Sequence, residues 1–257
     1  MDAVIPDTAD EPPLISGDST PEAVWLPWLA AAAIPALPDA AIRPCDRLVV
    51  IAPHPDDEIL CGGGLLVRHR RAGGELAVVC VSDGEASHPD DPQWTETRLA
   101  TARRIESRRG LARLGIDDST VTRLSLPDGG IAANDALLRQ ALTWLLQPHD
   151  VVLTTWRHDG HPDHEATARA AAAVCEIKGC RLLEAPVWMW HWAVPGDSRV
   201  PWRALRAITL EHDERELKQS ALAQHASQLA DRADGAGPVL DASIVERAAR
   251  GVEHVFA

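Results

Sequence analysis

Short apolar runs alternate with longer amphipathic or alanine-rich segments along most of the chain. The apolar runs are typical of strands buried on both faces, and we predict them at Arg47–Ala52, Leu76–Val81, Val121–Leu126 and Val151–Thr155, with extended segments at Leu182–Val194 and Leu205–Leu210. The predicted helices are Asp57–Arg71, Pro92–Leu114, Asp135–Leu146, Pro162–Ile177 and Glu211–Leu229. This β-α-β-α order predicts an α/β fold, a mostly parallel sheet with helices on both faces.

The first 45 residues have a different character. Residues 1–18 are acidic and rich in proline, which predicts a mobile tail, and residues 20–45 are expected to form a docked arm. Thr20 is the expected N-cap of a helix in this arm, with Pro21 at the first helical position. No internal repeat or long linker divides residues 46–257, so we expect a single α/β domain there.

Charge and composition exclude several classes of partner. The chain has 25 Lys and Arg against 38 Asp and Glu, a formal net charge of −13. That balance argues against nucleic-acid binding and against docking on anionic membranes. The apolar run Val24–Leu37 contains two prolines and is too short to span a bilayer. The cysteines show no CxxC pair and the start is unlike a signal peptide, so we expect a reduced, cytoplasmic compartment.

A group of charged residues follows the first predicted strand. Asp56, Asp57 and Glu58 are consecutive carboxylates close to His54. Such groups repel one another unless a cation or strong donors compensate them. The alternative is a purely structural role at a solvated helix start, where acidic residues are favourable.

A second group follows the strand at Val151–Thr155. His158, His161 and His164 fall within seven residues and alternate with acids. Alone this pattern also fits a histidine-rich surface loop. In a parallel sheet, however, both groups lie at the same rim. Two imidazoles and one carboxylate there would leave a tetrahedral zinc one open position, as in catalytic sites.

These segments carry a resemblance to a known family. The stretch from 49 to 66, VVIAPHPDDEILCGGGLL, is similar to the first signature of the LmbE-like, or PIG-L, N-acetylglucosaminyl deacetylases, and HPDH at 161–164 is similar to the second. Weaker matches extend the resemblance over about residues 46–230, at Ser82–Glu85, Arg103, Glu106, Leu126–Gly129, Lys218 and His225–Gln228. The resemblance implies a Rossmann-like fold of the LmbE type.

The resemblance also implies roles for individual residues. His54, Asp57 and His164 match the family's zinc ligands, and Asp56 matches the general base that activates the zinc-bound water. His161 matches the residue that stabilises the oxyanion or protonates the leaving amine.

The same resemblance makes Asp163 the residue that orients this histidine. The implied protein is a zinc-dependent hydrolase that removes an acetyl group from a small N-acetylated amino sugar or a glycoconjugate. Some members carry a tyrosine two residues before HPDH, where this chain has Asp159. Arg157 or His158 would then be the candidates to donate to the substrate carbonyl.

Some alternatives stay open on the sequence alone. A non-catalytic carbohydrate-binding protein and a metal-dependent hydrolase of a different amide fit the same fold, and a homo-oligomer is neither indicated nor excluded. Trp188, Trp190 and Trp192 alternate, so in a strand they would share one face. That face would be either a core or interface stripe or a platform for a sugar ring.

Overall fold

The computed structural model describes residues 19–257 apart from 90, 234 and 236. The tail expected at residues 1–18 lies outside the described residues. The strands are β1 (Arg47–Ala52), β2 (Glu75–Ser82), β3 (Val121–Leu126), β4 (Val151–Thr155), β5 (Arg181–Ala185), β6 (Leu205–Thr209) and β7 (Val252–Phe256). The α-helices are α1 (Glu22–Ala32), α2 (Asp57–Arg71), α3 (Glu96–Arg113), α4 (Asp135–Leu145), α5 (Pro162–Lys178), α6 (Met189–Trp192), α7 (His212–Leu222), α8 (Ala226–Leu229) and α9 (Ala242–Ala248). Short 3₁₀ helices lie at Asp39–Ala41, Asp118–Thr120, Ala132–Asn134 and Trp202–Ala204.

The strands form one mostly parallel sheet, which confirms the predicted fold class. Their order is β3-β2-β1-β4-β5-β7-β6, and β7 is antiparallel to both of its neighbours. The chain moves outward from β1 to β3 and returns on the other side of β1 as β4. The strand order therefore reverses between β1 and β4, the position where open α/β sheets bind ligands.

The core occupies both faces of this sheet. Leu48 and Val50 of β1 belong to an apolar cluster with residues of α2, α3 and α7, whereas Val49 and Ile51 belong to a second cluster with residues of α4 and α5. Because successive side chains of a strand point to opposite faces, a strand covered on both sides is apolar throughout. This explains the continuous apolar run of β1. Within the described part of the chain, no helix is both long enough and apolar enough to cross a membrane.

The extended segment expected at Leu182–Val194 is wrong in its second half. The strand ends at Ala185, and α6 carries the tryptophans. The local reason is the Asp159 carboxylate, which accepts the backbone N–H groups of residues 187, 188 and 189 at 2.9–3.0 Å. These bonds satisfy the first donors of a helical turn, which a strand would have directed to a neighbouring strand.

Other boundaries move for similar local reasons. The helix predicted from Pro92 begins at Glu96, because the Thr95 hydroxyl caps it through the backbone N–H of Arg98. The helix predicted as one element over Glu211–Leu229 is divided into α7 and α8. Thr20 does not cap α1, since its hydroxyl donates to the carbonyl of Ala193 at 2.7 Å.

The three glycines of α2 permit close packing around the site. A Cβ on Gly62 would lie 2.6 Å from the Leu153 side chain, and one on Gly64 would lie 2.5 Å from Leu210. The helix is interrupted at Gly62, and the Glu253 carboxylate accepts the backbone N–H groups that follow, from Gly64 at 2.8 Å and Leu65 at 2.9 Å. A residue of β7 therefore accepts the backbone N–H groups that the interruption leaves without a helical partner.

Candidate metal centre and substrate cleft

The candidate site lies at the carboxyl ends of β1 and β4. These strands are hydrogen-bonded neighbours in parallel register, with Ile51 beside Thr154. The loop after β1 carries His54 and leads into α2, whereas the loop after β4 carries His161 and leads into α5. Two segments that are about 100 residues apart in sequence thus meet at one rim of the sheet.

The three residues expected to bind zinc converge on one point. Asp57 Oδ2 lies 3.2 Å from His54 Nδ1 and 3.2 Å from His164 Nε2. One ligand atom from each residue lies within 4.8 Å of the other two, and all three residues are buried. Two imidazole nitrogens and one carboxylate oxygen form a donor set that suits catalytic zinc, with a position left for water or substrate.

A second group of possible ligands shares His54. Its Nε2 lies 3.1 Å from Asp128 Oδ1 and 3.3 Å from Asp163 Oδ2. This set has a single nitrogen, and the Asp163 carboxylate already accepts the backbone N–H groups of Gly129 at 2.7 Å and Ile131 at 3.2 Å. We assign these two carboxylates to the outer nitrogen of His54, the arrangement that usually orients a metal-binding histidine.

His164 has an equivalent partner on its outer nitrogen. Asp159, which is fully buried, accepts from His164 Nδ1 at 2.8 Å and leaves Nε2 directed towards Asp57. A hydrogen bond on one ring nitrogen determines which nitrogen remains for a metal. Sequence reasoning treated Asp159 only as the replacement of a tyrosine and missed this role. The sequence signal for this role was an acid placed between a strand and a helix that carries a candidate metal ligand.

Asp56 is held in an unusual backbone conformation. Its φ of 123° is rare for any residue except glycine and costs energy that its surroundings must offset. The Glu58 carboxylate accepts its backbone N–H at 2.9 Å. Arg103 donates to Asp56 Oδ2 at 3.1 Å and to the carbonyl of Pro55 at 2.7 Å. These contacts hold Asp56 beside the cleft that the candidate metal ligands also line.

The charges around Asp57 favour a cation at the centre of the ligand set. Burial opposes a positive charge on His164, but Asp57 and the hydrogen bond to Asp159 raise the pKa of His164 to about 9. Burial also opposes the charge on His54, whose pKa is nevertheless raised by its carboxylate partners, Asp128 first among them. Protons on these imidazoles supply positive charge that the acids require. A divalent cation between the three ligand atoms would supply it in their place.

The pKa values of Asp56 and His161 are shifted in opposite directions from each other. Burial raises the pKa of Asp56 to about 7, opposed in part by the Arg103 cation and reinforced by Asp57. Burial lowers the pKa of His161 to about 2, and the positive charge of His164 adds to this effect. A bound cation would lower the pKa of both groups, because it disfavours added positive charge nearby. For Asp56 this effect would oppose that of burial, whereas for His161 the two effects would add.

The structure brings His161 to the candidate metal ligands but shows a different contact with Asp163. The ring centroid of His161 lies 4.9 Å from that of His54 and 4.7 Å from that of His164. Its Nδ1 accepts the backbone N–H of Asp163 at 3.2 Å, whereas the Asp163 carboxylate is used by the backbone after β3 and by His54. Asp163 thus orients the ring through its main chain. His161 lines the cleft, and Nε2 is the ring nitrogen that this hydrogen bond does not use.

The cleft has a volume of about 450 Å³ and both polar and aromatic walls. Besides the site residues, its lining includes Ser87, Asp128, Trp188, His191, Gln228 and Asp241. Ser87 and Asp241 had no signal in the sequence, because they reach the cleft only through the folding of the chain after β2 and before α9. A volume of this size is in the range of small-molecule sites.

The three tryptophans have separate environments. Trp188 is half-buried and lines the cleft, with its ring at 28° to that of His161 and a centroid distance of 6.4 Å. Trp190 is buried and packs edge-on against Trp25 of the N-terminal arm. Trp192 donates from Nε1 to the carbonyl of Asp159 at 2.8 Å. Only the first of them is placed to contact a ligand in the cleft.

The two residues considered as donors to the substrate carbonyl do not line the cleft. Arg157 makes a bidentate ion pair with Glu184, at 2.8 Å and 2.7 Å. His158 is exposed beside Trp156. The loop after β4 therefore presents His161 to the cleft and directs Arg157 and His158 elsewhere.

The chain is similar to several proteins that are named as deacetylases. A 1D-myo-inositol 2-acetamido-2-deoxy-alpha-D-glucopyranoside deacetylase of Mycolicibacterium gilvum is 29% identical over 179 residues, covering 59% of this chain and 60% of that protein. A protein of the same name from Mycobacterium sp. is 27% identical over 260 residues, covering 81% and 82%. The zinc-inhibited form of a teicoplanin deacetylase has a TM-score of 0.61 at 18% identity, covering 82% of this chain and 97% of that one. At that identity the likeness shows the fold alone.

The family match lies on the part of the chain that builds the site. Residues 49–175 match the PIG-L family, described as GlcNAc-PI de-N-acetylase. This segment includes both the loop after β1 and the HPDH segment before α5. The chain therefore belongs to the PIG-L (LmbE-like) family.

Proposed function

We propose that this protein is a zinc-dependent N-deacetylase that hydrolyses the acetamide of an N-acetylated amino sugar or glycoconjugate. The observation that carries the proposal is the convergence of His54, Asp57 and His164 on one point in a cleft that also presents Asp56 and His161. A binding site for sugar alone has no need of this combination. The names of the relatives support an N-acetyl sugar as substrate.

The residues present fit zinc and its chemistry. When bound, zinc would polarise the acetamide carbonyl and make a water molecule more acidic. Asp56 is the group that accepts the proton of the attacking water, because its carboxylate faces the cleft next to the ligand Asp57. Arg103 and the backbone geometry hold it there. The water oxygen forms the new bond to the acetyl carbon.

His161 acts on the other side of the reaction. The residue lines the cleft, and the hydrogen bond that Nδ1 accepts orients the ring and leaves Nε2 for the substrate. From this position a neutral imidazole donates a hydrogen bond from Nε2 to the oxygen that becomes negative. The C–N bond then breaks, and Asp56 passes the proton that it took from water to the departing nitrogen. The products are acetate and a free amino group.

The shape of the cleft supports a sugar substrate. Trp188 offers an aromatic surface, and Asp128, Gln228 and Asp241 offer groups that bond hydroxyls. Sugar sites combine these two features, because the ring has an apolar face and polar edges.

Two alternatives are separated by direct measurement. A hydrolase of another amide would hold zinc but prefer an acyl group or amine outside the sugars. A carbohydrate-binding protein would bind sugars without turnover.

The test is an acetate-release assay on the zinc-loaded protein. The substrates are N-acetylglucosamine, its disaccharides and its glycosides, including an inositol glycoside. The protein with Asp56→Asn is measured in parallel. Acetate release from at least one N-acetyl sugar, lost in the variant, is the expected result. Sugar binding without release, or release from non-sugar amides only, would overturn the proposal.

A further inference from the structure

A second, smaller cavity adjoins the substrate cleft. Leu60, Val187 and Ile244 line both, so these side chains form the wall between them. The smaller cavity has a volume of about 50 Å³. Because one water needs about 10–15 Å³ by such a measure, the cavity has room for a molecule of about four heavy atoms. Neither the metal ligands nor Asp56 and His161 line it.

One wall of this cavity holds an arginine whose donors are only partly used. The Arg247 side chain is 6% exposed. Its Nη2 donates to Ser19 Oγ and to the carbonyl of Thr20, and its Nε lies 3.5 Å from Glu22 Oε1. Its Nη1 has no hydrogen-bond partner among the described residues. A buried guanidinium donor without a partner is costly, since water is lost and nothing replaces it.

The acids that face Arg247 are already engaged. Glu22 accepts two hydrogen bonds from Arg250, at 2.6 Å and 2.8 Å. Asp241 accepts from Ser243 and from the backbone N–H of Ile244 at the start of α9. Neither carboxylate accepts a hydrogen bond from Arg247 Nη1.

His254 also lines the cavity and is a second candidate donor. Its ring contacts Trp190 and makes no hydrogen bond with the described residues. Burial, together with the nearby cations Arg250 and Lys218, lowers the pKa of His254 to about 3, so the ring is neutral and carries one N–H. Lys218 itself is paired with Glu253 at 2.7 Å. The cavity thus has two candidate N–H donors, and the three cations around it, Lys218, Arg247 and Arg250, outnumber the carboxylates of Glu22 and Glu253 by one charge.

We propose that this cavity is a binding site for a small carboxylate, which accepts hydrogen bonds from Arg247 Nη1 and the His254 ring. A planar carboxylate has two oxygens and so can use both donors, and a charged acceptor bonds a guanidinium more strongly than water does. The choice of acetate rests on the proposed function, because acetate would be released on the other side of the wall formed by Leu60, Val187 and Ile244.

The experiment measures the melting temperature of the full chain, loaded with zinc, against sodium acetate at constant ionic strength, with chloride as the matched anion. Arg247→Met removes the donor, and Ala248→Leu fills the cavity while Arg247 stays. Arg203→Met, at an exposed arginine outside the cavity, is the control.

Acetate at ten times its dissociation constant is expected to raise the melting temperature of wild type and of the control by about 2–4 °C beyond chloride. Both cavity variants are expected to lose this rise. An equal rise in Arg247→Met and Ala248→Leu would place acetate elsewhere, for example at the metal, and would overturn the proposal, as would no rise in wild type. An Arg247-dependent rise in a protein that releases no acetate would support this site and contradict the proposed deacetylase function.

Discussion

Asp159 Oδ2 and His164 Nδ1 are joined by a hydrogen bond of 2.8 Å in the interior of the protein. The same carboxylate accepts the backbone N–H groups of Val187, Trp188 and Met189 at 2.9–3.0 Å. One buried acid therefore connects a candidate metal ligand with the segment that places a tryptophan in the cleft. Asp159, the position that the resemblance associates with a tyrosine, therefore makes its hydrogen bonds in the protein interior.

Asp159→Asn tests this connection. The amide keeps the size of the side chain but turns one acceptor into a donor, which would face an N–H of His164 or of the chain at 187–189. We expect zinc affinity to fall about 10- to 100-fold, the usual effect of losing such a partner. Competition with a chromophoric chelator measures it. Asp135→Asn, at an exposed surface pair with Arg139, is the control. Unchanged zinc affinity would show that the hydrogen bond does not orient His164.

The ligand set makes a direct prediction about metal content. His54→Ala, Asp57→Ala and His164→Ala are each expected to abolish stoichiometric zinc, because each removes one of three protein ligands. His158→Ala lies on the same loop with an exposed ring and is expected to keep it. Metal analysis after gel filtration measures the zinc bound per protein chain in each variant. Full zinc in two of the three ligand variants would contradict the assignment.

Asp56→Asn separates the base from the ligands. Asparagine tolerates positive φ better than most residues, so the backbone at 123° is expected to be kept. Zinc is expected to remain, since the coordination is assigned to Asp57. The kcat is expected to fall about 10²- to 10⁴-fold, the usual contribution of a general base, with little change in KM. A variant that loses its zinc, or stays within a few-fold of wild-type turnover, would require other roles for the two aspartates.

The two tryptophans on either side of Met189 are expected to behave differently. Trp188→Ala is expected to raise KM about 2- to 10-fold, because aromatic stacking contributes about 0.5–1.5 kcal/mol, with a small change in melting temperature. Trp190 is 4% exposed, so Trp190→Ala is expected to lower the free energy of unfolding by about 3–5 kcal/mol. Kinetics and chemical denaturation of both variants give the comparison. The reverse pattern would assign the sugar platform to Trp190.

His254 predicts a dependence of stability on pH. Burial and the cations Arg250 and Lys218 lower its pKa to about 3 from 6.5. Below pH 6.5 the unfolded chain takes up a proton that the folded chain does not, so this residue destabilises the fold progressively as the pH falls towards 3. Between about pH 7.5 and 5.5 we expect wild type to lose about 1.4 kcal/mol more than His254→Leu.

Denaturant unfolding in carboxylate-free buffers measures this difference. His212→Leu, at an exposed histidine of α7, is expected to lose as much stability as wild type. Equal losses in wild type and His254→Leu would mean that His254 takes up its proton in the folded state as readily as in the unfolded one.

The sequence by itself predicted the mostly parallel sheet and the rim of that sheet at which the candidate metal ligands meet. Continuous apolar runs identified β1 and β4, because strands covered on both faces are apolar throughout. The rule that parallel strands end at one edge then placed the residues around His54 beside those around His164, and the structure brings them within 4.8 Å. These inferences succeeded because they depend on local pattern and on a general property of parallel sheets.

Only the tertiary structure decided which groups satisfy one another over long distances. The helical turn at Met189–Trp192 depends on a carboxylate 30 residues earlier, and no local pattern contains that contact. The hydrogen bonds of Arg103 with Asp56 and of Glu253 with the interrupted α2 also join segments that are distant in sequence. The absence of a partner for Arg247 Nη1 among the described residues likewise has no signal in the local sequence. Burial makes each of these polar groups require a partner, but the identity of the partner depends on how distant segments pack. That packing is a property of the whole fold.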